Sequence, residues 1–207
     1  MTNTGTDFFE YDLYKAHMSG SFLEKAYHNN RMREISNFVS KKEDSILEYG
    51  CNTGAVLLNL LSKGFSVDGY DISKSNVERA KEYIQKKNYN SSVFYKDLPQ
   101  KKWSCVLLVN VLEYVKNTDV VFDNLSSHLT LDGSVVVVIA NPWHPFIKFN
   151  SIRVLISKRS VSDINRSEPA FKIGSKEATD LFMKNSFKLV EKKYGLDYLN
   201  TYLKFKR

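Results

Sequence analysis

The chain has 207 residues, 43% of them hydrophobic and 13% aromatic, enough for one domain with a proper core or one domain with a small elaboration. Its longest apolar run, SVVVVIA at 134–140, is strand-sized and excludes a transmembrane helix, and the opening MTNTGTDFFEYD lacks the charged-then-apolar pattern of a secretory signal. Two cysteines, Cys51 and Cys105, fit a reduced intracellular chain rather than a disulfide scaffold, so a cytoplasmic location is expected, while the net charge of +7 raises nucleic acid as a partner to be weighed.

Residues 19–39 carry apolar side chains at helical spacing (Phe22, Ala26; Met32, Ile35, Val39), which predicts one or two helices. SILEYG at 45–50 reads as a short buried strand, and AVLLNLLSKG at 55–64 as a helix stopped by Gly64. FSVDGYD at 65–71 is a second strand, and SKSNVERAKEYIQKK at 73–87 a helix capped by Ser73. SSVFYKD at 91–97 and SCVLLVN at 104–110 are the third and fourth strands, the latter apolar enough to be covered on both faces.

DVVFDNLSSHL at 119–129 predicts a helix, Asp132-Gly133 a turn, SVVVVIA a fifth strand and SKEATDLFMKNS at 175–186 a late helix. FKLVEKKYG and DYLNTYLKFKR close the chain as two strands joined near Gly195-Leu196. Alternating strands and helices over the first 140 residues imply a doubly wound, Rossmann-like α/β fold. Its seven-stranded sheet is mostly parallel, with an antiparallel C-terminal hairpin at one edge and helices on both faces.

In such a sheet a ligand sits at the carboxyl ends of the strands, near the reversal of strand order, so SILEYGCNTGAV carries the expected site. A dinucleotide fingerprint needs G-x-G-x-x-G/A, but the chain offers Gly50, Asn52 and Ala55. An Asn side chain obstructs the approach of a pyrophosphate to bare backbone. It tolerates the left-handed backbone of the turn all the same, so the turn keeps its shape while losing that approach. Asp71, at the end of the second strand and 21 residues after Gly50, can accept from both hydroxyls of a ribose. Glu48 either accepts from turn amides or touches the ligand.

ILEYGCNTG resembles the first motif of class I S-adenosylmethionine-dependent methyltransferases, an apolar strand, an acid and G-x-G-x-G, with Gly50, Asn52 and Gly54 in the three places. YKDLP and LLVNVLEYV follow in the family's order, and the resemblance spans about residues 31–141. It implies a methyltransferase with S-adenosylmethionine as cofactor and S-adenosylhomocysteine as product. It further implies that Asp97 bonds the adenine amino group, that Leu98 packs on the ring beside Ile72, and that Val109 and Asn110 line the methionine end. Residues 1–40 would form an N-terminal helical lid on a domain of residues 41–207. Arg31, 19 residues before Gly50, is placed like the arginine that pairs with the cofactor carboxylate in the subgroup resembling ubiquinone-biosynthesis O-methyltransferases, with Arg33 as the fallback.

Methyl transfer to a hydroxyl needs positioning and a base, for which His17, His28, His144 and Glu113 are candidates, His144 and His17 foremost. Glu113 reads better as a structural acceptor for loop amides, and Cys51 as packing. Tyr11, Tyr14 and Trp143 are candidate acceptor contacts. The NPW at 141–143 is similar to a motif of amino-group methyltransferases but follows the wrong strand. No metal-ligand spacing is present, so no metal is expected.

From 143 to 174 six Lys/Arg stand against two acids among apolar residues, which fits a cap over a lipid-like or small-molecule acceptor and allows peripheral membrane contact through 146–159. The other basic pairs are scattered, so nucleic acid is not an expected partner. The reading is a methyltransferase acting on a small-molecule, lipid-like or glycan acceptor, at oxygen. The rivals are an RNA or protein methyltransferase and a catalytically silent module that binds the cofactor.

Overall fold

A computed structural model describes residues 13–19, 22–39, 45–141, 144, 173–195 and 198–207. The order is α1 (Leu13–Ser19), α2 (Phe22–Phe38), β1 (Ile46–Tyr49), α3 (Ala55–Ser62), β2 (Val67–Asp71), α4 (Lys74–Lys86), β3 (Val93–Tyr95) and β4 (Trp103–Val109). A 3-10 turn at Leu112–Tyr114 leads to α5 (Asp119–His128), β5 (Leu129–Ala140), α6 (Ser175–Lys184), β6 (Lys188–Tyr194) and β7 (Asn200–Lys206). Tyr11, Trp143 and the predicted cap at 143–174, including 146–159, lie outside the described residues, save His144, Ile173 and Gly174.

The seven strands run in the order β3-β2-β1-β4-β5-β7-β6. β1 pairs in parallel with both β2 and β4, so the chain winds outward through β2 and β3, then returns to the other side of β1 for β4 and β5. That reversal opens a crevice beyond the carboxyl ends of β1 and β4. β7 inserts antiparallel between β5 and β6, as the predicted hairpin requires, and leaves β6 as the edge. Edge position explains why β6 is a mostly exposed, lysine-rich strand while all four residues of β1 are buried.

Each face of the sheet has its own core. α2, α3 and α4 cover one face with Ile35, Leu57 and Ala80, all fully buried, against Cys105 and Leu107. α5 and α6 cover the other, where the Phe182 ring stacks on Phe205 at 4.3 Å and meets Phe122 edge-on at 4.9 Å. Trp103 is wholly buried, its indole N–H donating to the Asp68 carboxylate at 3.0 Å.

Two elements depart from expectation. Asp132-Gly133 does not turn the chain between α5 and a strand: β5 begins directly after His128, and the pair sits inside it. Leu129 is already paired with Trp103, and the register slips before Ser134 meets Cys105, so the extra residues are absorbed as an irregularity of the strand. The third strand is also shorter than predicted, because Lys96 adopts a left-handed φ of 64° and ends the pairing after Tyr95.

Gly69 lets α3 and the first turn settle on β2. A Cβ there would stand 2.7 Å from Leu57 Cδ1 and 2.9 Å from Cys51 Sγ. Gly69→Ala is therefore expected to lower stability by about 1–3 kcal/mol in urea denaturation. A variant as stable as the native chain contradicts that close approach.

Candidate active site

β1 delivers the chain to the crevice, and three left-handed residues follow within five positions: Gly50 (φ 80°), Asn52 (φ 49°) and Gly54 (φ 82°). Gly50 is held twice over, since a Cβ would also come within 2.7 Å of a Val111 methyl. Asn52 manages its conformation with its own amide: Oδ1 accepts from the Thr53 N–H at 2.7 Å. The Asn52 N–H donates to Asp71 Oδ2 and the Ser73 N–H to Asp71 Oδ1, both at 2.8 Å. Asp71 thus fastens the turn to the entrance of α4, which Ser73 caps as predicted through the Asn76 N–H. Each carboxylate oxygen keeps a second lone pair for a ligand.

Asp97 follows the left-handed Lys96 and is exposed, while Leu98 is half-buried against the core. Ile72, just past β2, shows 57% of its surface, an apolar face beside Asp71. Val109 is half-buried at the end of β4, and Asn110 turns the chain there with φ 53°.

Arg31 is 7% exposed and reaches across from α2 to this turn, where its Nη1 donates to Asn110 Oδ1 at 3.1 Å. The Asn110 amide nitrogen donates to Glu113 Oε1 at 3.0 Å, and the same oxygen accepts from the Ala140 N–H at 3.0 Å. One chain of hydrogen bonds therefore joins α2, the end of β4 and the end of β5. Its outer atoms are left over: Arg31 Nε and Nη2, Glu48 Oε2 and Glu113 Oε2 are buried with no hydrogen-bond partner among the described residues. Glu113 is the structural acceptor predicted for it.

The electrostatics follow from burial. Desolvation pushes the Glu48 carboxyl well above its ordinary range, against the pull of the Leu57 N–H and the Arg31 charge. Asp71 and Glu113 are raised for the same first cause, opposed by the N–H groups of Ser73 and Asn52 for Asp71 and chiefly by the Asn110 amide for Glu113. Glu48 and Glu113 both feel the Arg31 charge, and Asp71 stands beside Glu48, so more buried carboxyls than guanidinium groups gather here and the field favours cationic groups. Burial also raises the Cys51 thiol well above its usual value, which keeps it an inert packing group.

The remaining candidates scatter. Tyr14 rests its ring on Tyr83 at 4.5 Å and donates its backbone N–H to Thr53 Oγ1. It lines a groove of about 200 Å³ beside α3 with Leu58, Asn59 and Tyr89. His17 lies on α1, and its side chain is not described. His144 is half-buried just past β5, its N–H donating to the Asn141 carbonyl at 3.1 Å. Arg33 is exposed and bonds Asn30 at 2.6 Å, so Arg31 alone of the pair faces the crevice. Contacts that sequence reasoning missed fasten α2: the Tyr27 hydroxyl accepts from Asn200 at 3.0 Å, and Glu34 pairs with Lys193. Partners 173 and 159 residues apart leave no local signal.

The family model described as "Methyltransferase domain" matches residues 22–196. The chain belongs to this methyltransferase family. Ubiquinone biosynthesis O-methyltransferases are among the curated relatives: that of Rickettsia conorii is 29% identical over 135 residues, covering 63% of this chain and 46% of that protein. That of Rickettsia typhi is 32% identical over 109 residues, covering 51% and 44%. The chain thus spans about half the length of the curated relatives it matches. Among solved structures, magnesium protoporphyrin IX methyltransferase from Synechocystis PCC 6803 with bound SAH superposes with a TM-score of 0.69 at 15% identity, covering 99% of this chain and 95% of that one. A SAM-dependent methyltransferase from Aquifex aeolicus gives 0.70 at 11% identity, covering 95% and 99%. These likenesses place the methyltransferase fold on the whole sheet.

Because burial raises Glu48, the stability owed to its protonated form is complete below the ordinary carboxyl value of 4.5 and is lost as pH rises through the folded value. Thermal melts of Glu48→Gln should match the native protein near that lower limit and exceed it increasingly toward about pH 8. A gap that does not change with pH contradicts the buried, raised carboxyl.

Proposed function

We propose that the chain is an S-adenosylmethionine-dependent methyltransferase that methylates a hydroxyl oxygen of a small or lipid-like molecule. The observation that carries this reading is Arg31, a buried guanidinium with two nitrogens that have no partner among the described residues, within the field of the buried Glu48 and Glu113 carboxyls. Such a site fits a ligand with one carboxylate and more than one cationic centre. S-adenosylmethionine has that charge pattern in its amino-acid end and sulfonium. A dinucleotide would instead bring a doubly anionic pyrophosphate toward Glu48 and Asp71, with Asn52 where bare backbone is needed.

S-adenosylmethionine supplies, when bound, a methyl group already activated by its sulfonium. The residues of the chain bind and orient. Arg31 would clamp the carboxylate through Nε and Nη2 while Asn110 holds Nη1 in place. Glu48 and Glu113 would offer their free oxygens and negative field to the cationic end. Asp71 would take the ribose hydroxyls on its spare lone pairs, Asp97 the adenine amino group, with Ile72 and Leu98 on the ring faces. Gly50 and Gly54 keep the turn low enough for the nucleoside to lie against backbone. Turnover then rests on presenting the acceptor in line and on exclusion of water by α2.

An oxygen acceptor and a small molecule are supported by the curated relatives being ubiquinone biosynthesis O-methyltransferases. Both belong to this proposal, as does any acceptor contact from the cap at 143–174.

Calorimetry with S-adenosylhomocysteine tests the cofactor site. Arg31→Met should weaken binding by about 30- to 150-fold, the worth of a charged hydrogen-bonded pair, with Asp71→Ala also weakened and NADH not competing. No binding by the native protein, or a preference for NADH, contradicts the reading.

A further inference from the structure

Resting on that cofactor reading, we infer that His28 faces the reacting methyl and is the base that accepts the proton of the acceptor hydroxyl. α2 runs toward β1 and enters it after a short connection, so its C-terminal end lies by the start of β1 and its N-terminal end by the carboxyl ends of the strands. One flank of α2 meets the C-terminal hairpin, through Tyr27 on Asn200, Glu34 on Lys193 and Phe38 on Tyr202. The other meets α3, through Ser36 on Asn59 at 3.1 Å. Between them runs an inward stripe at helical spacing: Ile35 in the core, Arg31 on the turn after β4, and His28 one turn further.

His28 is 5% exposed. A rise of about 4.5 Å over three residues carries it past the level of Arg31, beyond the strand ends. The Tyr27 ring, 5.2 Å from the imidazole, flanks it and is pinned to Asn200, which pairs with Ala140 at the end of β5. β4, β5 and β7 stand side by side, each about 4.8 Å from the next. The imidazole therefore borders the side of the crevice where an acceptor must stand, between the cofactor end at Asn110 and the rim at Asn200.

The step balances as follows. The neutral imidazole of His28 takes the hydroxyl proton while the oxygen lone pair forms the C–O bond. The S–C bond breaks with its electron pair kept by sulfur, leaving a neutral thioether and an imidazolium that releases its proton to water. Imidazole suits the task because its ordinary titration lies near neutral pH. The charged groups on the elements that border this end of the crevice are Arg31 and Glu34 on its own helix, Glu48 on β1, Asp71 at the end of β2, Glu113 beyond β4, and Lys193 on the hairpin, paired with Glu34. His17 on α1, His128 at the end of α5 and His144 past β5 are the other imidazoles to be resolved from it in a titration.

Side-chain NMR titration of His28, assigned with His28→Asn, tests this without an acceptor, using S-adenosylmethionine and S-adenosylhomocysteine, which differ by one methyl and one positive charge. A sulfonium close by should make the His28 imidazolium about tenfold more acidic in the first complex than in the second. As a second readout, the ratio of the two affinities should change between about pH 5.5 and pH 8 in the native protein, and this component should vanish in His28→Asn while the carboxylates' share remains. Equal His28 titration in the two complexes, with both ligands bound, overturns the inference and leaves the cofactor reading standing. Failure of both ligands to bind overturns the two together.

Discussion

Burying a guanidinium is costly unless acceptors surround it, and Arg31 is placed where acceptors exist only because the sheet reverses its order between β1 and β4. From that constraint the rest of the site follows. Asn110 must adopt a left-handed φ so that its amide can face two ways, toward Arg31 and toward Glu113. Glu113 in turn must be buried to reach the Ala140 N–H. The helix that carries Arg31 cannot drift, because Tyr27, Glu34, Ser36 and Phe38 hold it on both flanks. The helix thereby forms one wall of the crevice, tied to the end of β4 and the start of β7.

The second constraint is electrostatic. Glu48, Asp71 and Glu113 are all pushed toward their neutral forms by burial, and each is opposed by hydrogen-bond donors that favour the ion. Groups so balanced respond to a cationic ligand by ionising, so the site is matched to the charge of what it holds. The left-handed turn adds shape to this selection, since Asn52 fills the place where a pyrophosphate needs bare backbone. Charge and shape point the same way.

Much of this was legible in the residues. The apolar runs ending at Tyr49, Asp71 and Val109 marked the strand ends, and Gly50, Asn52 and Gly54 marked the turn because few residues tolerate that backbone. Asp71 was readable as a ligand group, while its fastening of the turn to α4 through the Asn52 and Ser73 N–H groups emerges only in the structure. The Asp132-Gly133 pair misled because a good turn dipeptide was absorbed in a strand whose pairing with Trp103 had already begun. The packing of Tyr14 on Tyr83, and its backbone bond to Thr53, were not legible because an aromatic at that distance along the chain carries no local signal of its partner. The pairs Tyr27–Asn200 and Glu34–Lys193 were hidden for a different reason: they exist only once β7 has been inserted between β5 and β6, which no local pattern encodes.

On the proposed function, Arg31 would bind the cofactor carboxylate only as positioned by Asn110. A double-mutant cycle on S-adenosylhomocysteine affinity, with Arg31→Met, Asn110→Ala and the pair, measures that dependence. Strong non-additivity is expected, the double variant binding about as weakly as Arg31→Met alone, with a coupling of about 1–3 kcal/mol. Additive losses would contradict it, because the two side chains would then serve the ligand independently.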